Sequence, residues 1–212
     1  MGNPRYQRDG RPETSGPGFG VTMHPDLLLL PVSWRRPRTV FVNSMSDLFH
    51  PQVPDEFIAA VFRTMEACPQ HTFQILTKRP KRMATLDGHL RPEPLPNVWL
   101  GTSVEGAEVL WRVEALQRTP AAVRFISAEP LLGPLPDLDL LGVSWVITGG
   151  ESGPRARPVD PSWVLDIRDR CVEAGVAFFH KQWGGRTPKA GGRELEGRTW
   201  DQMPGTAALA AG

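Results

Sequence analysis

Six charged residues that follow short apolar segments have the chemistry needed to bind a polar ligand. They are Lys78, Arg79, Glu105, Glu129, Glu151 and Lys181. Acids and bases on one surface recognise such a ligand by hydrogen bonds and charge pairing. At any single position, solvation of a loop is an equally good explanation. A glutamate after each of three successive segments favours a shared ligand site.

Residues 148–153 (TGGESG) are a candidate for binding a phosphate or a nucleotide. Consecutive glycines let backbone N–H groups approach an anion closely. Arg155 and Arg157 follow and add positive charge. The segment matches neither GxGxxG nor a P-loop, so a simple glycine turn after a strand is an alternative of equal weight.

The histidine and cysteine patterns do not indicate a metal site held by this chain alone. His180 and Lys181 could supply an acid, a base or an anion partner, whereas the other histidines lack the spacing of metal ligands. Cys68 and Cys171 lie in apolar segments of helical character, which predicts two buried, reduced thiols. The low cysteine count therefore argues against a zinc or iron–sulfur centre held by this chain.

The composition indicates one folded domain, or two small ones at most, with almost no net charge. The chain has 212 residues, 24 basic and 23 acidic, and a net charge of +1, so no overall field marks an obligate nucleic-acid or membrane binder. A basic cluster at 34–38 (WRRPR) could contact phosphates, although we favour a solvated surface. No apolar run approaches a membrane span and no signal peptide is visible, which predicts a cytoplasmic protein.

Six short apolar or β-branched segments, each followed by polar residues or glycine, predict six strands. They cover residues 39–43, 72–77, 98–102, 123–127, 144–148 and 177–180. These strands must position the charged residues named in the first paragraph, because each of those residues follows one of the strands.

Helical periodicity between these segments predicts the helices. One begins at Pro54, one covers 107–116, one runs from Asp160 to the stop at Gly175, and a weaker one covers 80–90. Residues 130–142 contain too many prolines for a regular helix.

Strands that alternate with helices predict an α/β fold with a parallel sheet. Six units fit a doubly wound sheet or a partial (β/α)6 TIM-like barrel, and both bind ligands at the carboxyl ends of their strands. We predict the barrel over residues 39–190, an irregular segment over 1–38, and a C-terminal hairpin and tail over 191–212. The hairpin turns at Glu196 and Gly197, and Trp200 packs against the barrel.

Seven short motifs, in order, resemble a phage-associated protein family of unknown function that is distantly similar to radical S-adenosylmethionine enzymes. The motifs are 41–50 (FVNSMSDLFH), 76–80 (LTKRP), 101–105 (GTSVE), 127–132 (SAEPLL), 149–153 (GGESG), 179–184 (FHKQWG) and 197–204 (GRTWDQMP). The resemblance runs from about residue 3 to residue 204.

This resemblance implies a [4Fe–4S] cluster, held by three cysteines of an upstream loop, that binds S-adenosylmethionine and cleaves it to a 5′-deoxyadenosyl radical. This chain lacks that loop. Residues 1–20 resemble the linker that follows it, so we expect a chain that is missing the first βα unit and is inactive by itself. The full-length form would act on a nucleic acid or nucleotide.

The resemblance also implies roles for individual residues. S-adenosylmethionine would contact Ser103, Glu105, Glu129, Gly149, Gly150, Glu151 and Ser152. The substrate would contact Asn43, Ser44, Arg79 and Arg155. The candidate catalytic residues are Asp47, Lys78, His180 and Lys181.

Two other functions fit the same sequence. The first is a non-catalytic module that binds a ligand or a partner, completed by a separately encoded N-terminal piece or by a second copy of the chain. It predicts exposed apolar surface along the first strand, because a sheet without its first unit has an unpaired edge. The second is an inactive remnant of a mobile element.

Overall fold

A six-stranded parallel sheet forms the centre of the computed structural model, which describes residues 21–44, 46–90, 93–187 and 189–205, with side chains omitted for 87–90. The strands are β1 (Thr39–Val42), β2 (Thr72–Thr77), β3 (Val98–Ser103), β4 (Val123–Ala128), β5 (Trp145–Gly149) and β6 (Ala177–Gln182). All six predicted strands are confirmed, with ends that differ by at most two residues.

Four α-helices lie between the strands, as the periodicity predicts. They are α1 (Asp55–Glu66), α2 (Pro80–Leu90), α3 (Trp111–Gln117) and α4 (Pro161–Ala174). The carboxylate of Asp160 caps α4 by accepting the Ser162 N–H, and Gly175 ends the helix at a φ of 67°. A 3-10 turn precedes α3, and the proline-rich connection from β4 to β5 has no α-helix.

The strand order decides between the two predicted sheets. The strands lie in the order β1-β2-β3-β4-β5-β6, and each neighbouring pair is parallel. Because crossovers between parallel strands are right-handed, a sequential order places every connection on one face and curls the sheet. The result is a half-barrel, and the absence of an order reversal excludes the doubly wound alternative.

The two faces of the sheet have different cores. The outer face packs against the helices, whose residues Ile58, Val113 and Ile167 belong to one core cluster with strand residues. The inner face carries a separate cluster that includes Trp99, Val123, Phe125 and Trp145. The rings of Trp99 and Trp145 meet edge to face at 6.0 Å. Aromatic packing therefore fills the inner face below the strand ends.

The C-terminal segment covers one edge of the sheet. A hairpin of β7 (Glu194–Leu195) and β8 (Arg198–Thr199) confirms the predicted turn. Asp201 then bridges antiparallel to Phe179 of β6, and the buried Trp200 packs on Phe178 with ring centroids 5.7 Å apart. Residues 206–212 of the predicted tail and residues 1–20 of the predicted linker lie outside the described residues.

Candidate functional site

Side chains from β2 to β6 meet at one end of the inner face. Successive strand residues alternate between faces, so Ser103 lies on the same side as Trp99, and Ser127 on the same side as Phe125. Glu105 and Glu129 follow the ends of β3 and β4, and Glu129 lies over Gly149 of β5. Ser103 is the register partner of Ser127. We use "carboxyl rim" for Lys78, Ser103, Glu105, Ser127, Glu129, Gly149 and Lys181.

The first charged group of the carboxyl rim is built on Glu105. Lys78 pairs with one oxygen of this buried carboxylate, and Arg112 Nη1 donates to the other at 2.8 Å. Burial by itself raises the pKa of Glu105, but the hydrogen bond from Lys78 and the charges of Lys78 and Arg112 outweigh it and lower that pKa. Glu105 is therefore ionised at neutral pH.

The second charged group is the pair of Glu129 and Lys181. Lys181 Nζ lies 2.8 Å from one carboxylate oxygen of Glu129 and 3.0 Å from the other. A Cβ at Gly149 would lie 3.1 Å from Glu129 Cγ, so the glycine makes room for this side chain across β5. The sequence places the two charges 52 residues apart, and the sheet brings them into contact.

Two serine hydroxyls lie between these charged groups. Ser103 and Ser127 are each 4% exposed. Neither hydroxyl makes a hydrogen bond to the rest of the described chain, and neither oxygen is fully enclosed, so both can reach a ligand. The carboxyl rim thus offers two carboxylates, two ammonium groups and two uncommitted hydroxyls.

Asp47 lies beside the carboxyl rim, but its carboxylate is fully engaged. It accepts hydrogen bonds from Thr77 Oγ1 at 2.7 Å, Phe49 N at 3.0 Å, Lys78 N at 3.1 Å and Arg79 Nη1 at 2.7 Å. These bonds fasten the loop after β1 to the end of β2. Asp47 and Arg79 therefore have the geometry of positioning residues, although they were predicted as a catalytic and a substrate-binding residue.

His180 lies on the opposite face from its neighbour Lys181. It is fully buried, its Nδ1 is 3.0 Å from Thr148 Oγ1, and its ring centroid is 4.5 Å from that of Trp183. Burial, and then the charge of Arg193, lower the pKa of His180 to about 4. The structure does not bring this predicted catalytic residue to the carboxyl rim, because adjacent strand residues face opposite sides.

The glycine-rich loop after β5 is held by its own contacts. Glu151 accepts from Arg157 Nε at 2.8 Å and Nη2 at 3.1 Å, and Arg157 lowers the pKa of Glu151 to about 2. A Cβ at Gly150 would lie 2.0 Å from the carbonyl oxygen of Trp183, so close packing accounts for this glycine. Ser152 bonds to Gln182 Nε2 at 2.9 Å.

The remaining predicted substrate residues lie away from the charged groups. Asn43 follows β1 with a φ of 61° and donates from Nδ2 to Ser46 Oγ at 3.0 Å. Ser44 and Arg155 are exposed, and Met45 between Ser44 and Ser46 lies outside the described residues.

A family match covers most of the chain. Residues 3–204 match the family described as Protein of unknown function (DUF5131). The chain belongs to this family. No curated protein and no solved structure matches it. The family description states no activity, so the similarity to radical S-adenosylmethionine enzymes, the phage association and the cytoplasmic location stay predictions.

The family description names no metal, so only the donor residues themselves indicate whether a metal can bind. Among the described residues, no three His, Cys, Asp or Glu side chains lie close enough to hold a metal ion. Cys68 and Cys171 are free and buried, as predicted, and burial raises the pKa of Cys171 to about 12. A [4Fe–4S] cluster needs three or four thiolate ligands, and the two buried cysteines do not supply them, so a cluster does not fit these residues. No helix of the described chain is long and apolar enough to cross a membrane.

Two residues of the site were not among the sequence predictions. Ser127 stands two residues before Glu129, just as Ser103 stands two before Glu105. This repeated Ser-x-Glu spacing in neighbouring strands was the available signal. Arg112 had no comparable signal, because its contact with Glu105 depends on how α3 packs on β3.

Proposed function

We propose that the carboxyl rim binds S-adenosylmethionine, and that the family acts on a nucleotide or nucleic acid when a cluster-bearing part is also present. The observation that carries the proposal is the pair of uncommitted hydroxyls, Ser103 and Ser127, between two charged groups of mixed sign. S-adenosylmethionine has an ammonium, a carboxylate and a ribose diol, which match these three kinds of partner.

Glu129 and Lys181 can each exchange the other for a charged group in the amino-acid part of the ligand. Lys181 is 52% exposed, and an exposed ion pair contributes only about 0–1 kcal/mol. The ligand ammonium would bind Glu129 and the ligand carboxylate would bind Lys181, so each charge stays paired. Because Gly149 has no side chain, Glu129 can lie close to β5 in this arrangement.

The hydroxyls and Glu105 are suited to the ribose. Ser103 and Ser127 can each donate to or accept from a diol oxygen. Glu105 keeps Arg112 as a partner when the exposed Lys78 moves aside, so its carboxylate stays charged and can accept from a ribose hydroxyl. Bound S-adenosylmethionine would supply the reactive sulfonium group.

A ligand bound at the open carboxyl rim would need a further element to cover it. Lys78 and Lys181 are 57% and 52% exposed, whereas a small ligand usually buries about 70–90% of its surface. A TIM-like barrel with a first βα unit beside β1 would supply such a cover. Because the described residues do not fit a cluster, the proposal assigns no radical step to this chain.

Isothermal titration calorimetry with S-adenosylmethionine tests the proposal. We expect Glu129→Gln to weaken binding about 10- to 150-fold, because it removes one charge-assisted hydrogen bond while keeping the side-chain size. Ser127→Ala should weaken it by a smaller factor. Glu173→Gln is the matched control, since Glu173 is an exposed acid on α4.

Two results would contradict the proposal. One is equal affinity of the wild type and Glu129→Gln. The other is no heat of binding for the wild type at ligand concentrations of about 1 mM, which is the weak end of specific binding.

A partner-binding role has one observation in its favour. β1 pairs only with β2 in the described part of the chain, and Phe41 on its inner face is 45% exposed. An open strand edge with an exposed aromatic can accept a strand from another chain. Sedimentation velocity should show self-association of the wild type that Phe41→Lys abolishes. A wild type that stays monomeric at every concentration would refute binding of a second copy at this edge.

A further inference from the structure

We propose that a surface next to the carboxyl rim, formed by Lys78, Lys81 and Trp111, binds single-stranded nucleic acid. We call it the Trp111 surface. It goes beyond the ligand site because Lys81 and Trp111 lie on helices α2 and α3, and it shares only Lys78 with the carboxyl rim.

An exposed tryptophan with a cation over its ring marks this surface. Trp111 begins α3 and is 41% exposed. Tryptophan is highly buried on average, so packing does not account for this side chain. Lys81 Nζ lies 4.6 Å from the centroid of the Trp111 ring, and Arg112 Cζ lies 5.8 Å from it.

The Trp111 surface is continuous with the carboxyl rim. Lys81 lies in the first turn of α2, which follows β2, and Trp111 in the first turn of α3, which follows β3. The two helices pack against each other. Arg112, next to Trp111, shares the carboxylate of Glu105 with Lys78. A nucleic-acid strand that lies along α2 and α3 would therefore have one end at the carboxyl rim.

The charges of the 78–82 segment (KRPKR) divide into two groups. Arg79 and Arg82 pair with Asp47 and Asp55 and hold the loops in place. Lys78 is 57% exposed, and Lys81 makes no ion pair with any side chain that the structure describes. Lys81 is therefore available to an anion, and Lys78 becomes available when it exchanges Glu105 for a phosphate.

Single-stranded nucleic acid repeats two kinds of group, bases and phosphates, that the Trp111 surface can bind. Such a strand presents bases that stack on aromatic rings and phosphates that pair with lysines. The flexible Lys81 can move from the ring to a phosphate while a base takes its place on Trp111. Glu108 is an exposed acid before α3 and would repel a phosphate there, which favours a path of the nucleic acid toward α2. An acidic peptide would use the lysines but has no base to stack.

Fluorescence anisotropy with a labelled oligothymidylate of about 12 nucleotides tests the proposal. We expect Trp111→Ala to weaken binding about 5- to 150-fold, the usual effect of losing one base stack, and Trp111→Phe to retain most of the affinity. Lys81→Gln should reduce the slope of log K against log salt by about 0.7.

Trp34→Ala is the matched control. Trp34 is half-buried and also has a cation over its ring, with Arg38 Cζ at 4.7 Å, but it precedes β1 at the amino end of the sheet. The Trp34→Ala variant should bind the oligonucleotide with the same affinity as the wild type.

Three outcomes would overturn the proposal. They are absence of binding by the wild type, equal binding by Trp111→Ala and the wild type, and competition by polyglutamate as effective as that by unlabelled oligonucleotide. S-adenosylmethionine is absent from the assay, so this proposal and the ligand-site proposal fail separately.

Discussion

The buried His180 should make the stability of the protein depend on pH. In the folded chain, burial and the charge of Arg193 lower the pKa of His180 from 6.5 to about 4. Between these two values the unfolded chain binds a proton that the folded chain does not. The stabilising effect is therefore complete above pH 6.5 and is lost as the pH falls toward about 4.

The size of the effect follows from the two pKa values. The difference between 6.5 and about 4 corresponds to about 3 kcal/mol of unfolding free energy in total. About 2 kcal/mol of this should already be lost on going from about pH 7.5 to about pH 5. The imidazole is fully buried, packs against Trp183 and contacts Thr148, and its Nε2 has no described hydrogen-bond partner that could stabilise the charged form.

Urea unfolding followed by tryptophan fluorescence measures this loss. We compare the wild type, His180→Gln and Phe178→Leu at about pH 7.5 and about pH 5. Other groups also titrate, so the quantity of interest is the pH-dependent loss in the wild type minus that in His180→Gln, expected at about 2 kcal/mol. Phe178→Leu changes the same buried face without removing the imidazole and should keep the loss seen in the wild type.

Equal loss of stability in the wild type and His180→Gln would refute the reasoning. So would a loss in Phe178→Leu that resembles that in His180→Gln, because the pH dependence would then report packing and not titration of the imidazole.

Two further predictions concern the loops beside the rim. Gly150→Ala should lower the unfolding free energy by about 3 kcal/mol or more, because its Cβ would lie 2.0 Å from the Trp183 carbonyl oxygen. Gly133→Ala is the control, since a Cβ there meets nothing within 4 Å, and similar urea midpoints for the two variants would contradict the packing argument. Asp47→Asn should cost about 1–3 kcal/mol by the same measurement, because it loses the ion pair with Arg79. An unchanged midpoint would show that Asp47 does not fasten the loop.

Local patterns in the sequence predicted the elements well. Short apolar segments flanked by glycine or polar residues marked all six strands, because buried parallel strands need apolar side chains on both faces. The Asp160 cap and Gly175 stop of α4 are local backbone signals and were confirmed. The convergence of Lys78, Glu105, Glu129 and Lys181 at one end of the sheet followed from parallel strands alone.

The partners of those residues required the tertiary structure. His180 and Lys181 were grouped as one site, although alternation along β6 separates them onto opposite faces. Asp47 looked catalytic in the sequence, but the fold places four hydrogen-bond donors around its carboxylate. Such contacts depend on how loops from different strands pack, and no local pattern records them.

The sequence by itself determined the six strands, their helices and the set of charged residues at the strand ends, because these depend on neighbours along the chain. Only the tertiary structure decided that the strands lie in sequential order as a half-barrel. It also decided that Glu105 takes Lys78 and Arg112 while Glu129 takes Lys181. The physical reason is that strand order and side-chain pairing are settled by packing between distant segments, which brings together residues such as Glu129 and Lys181, 52 positions apart.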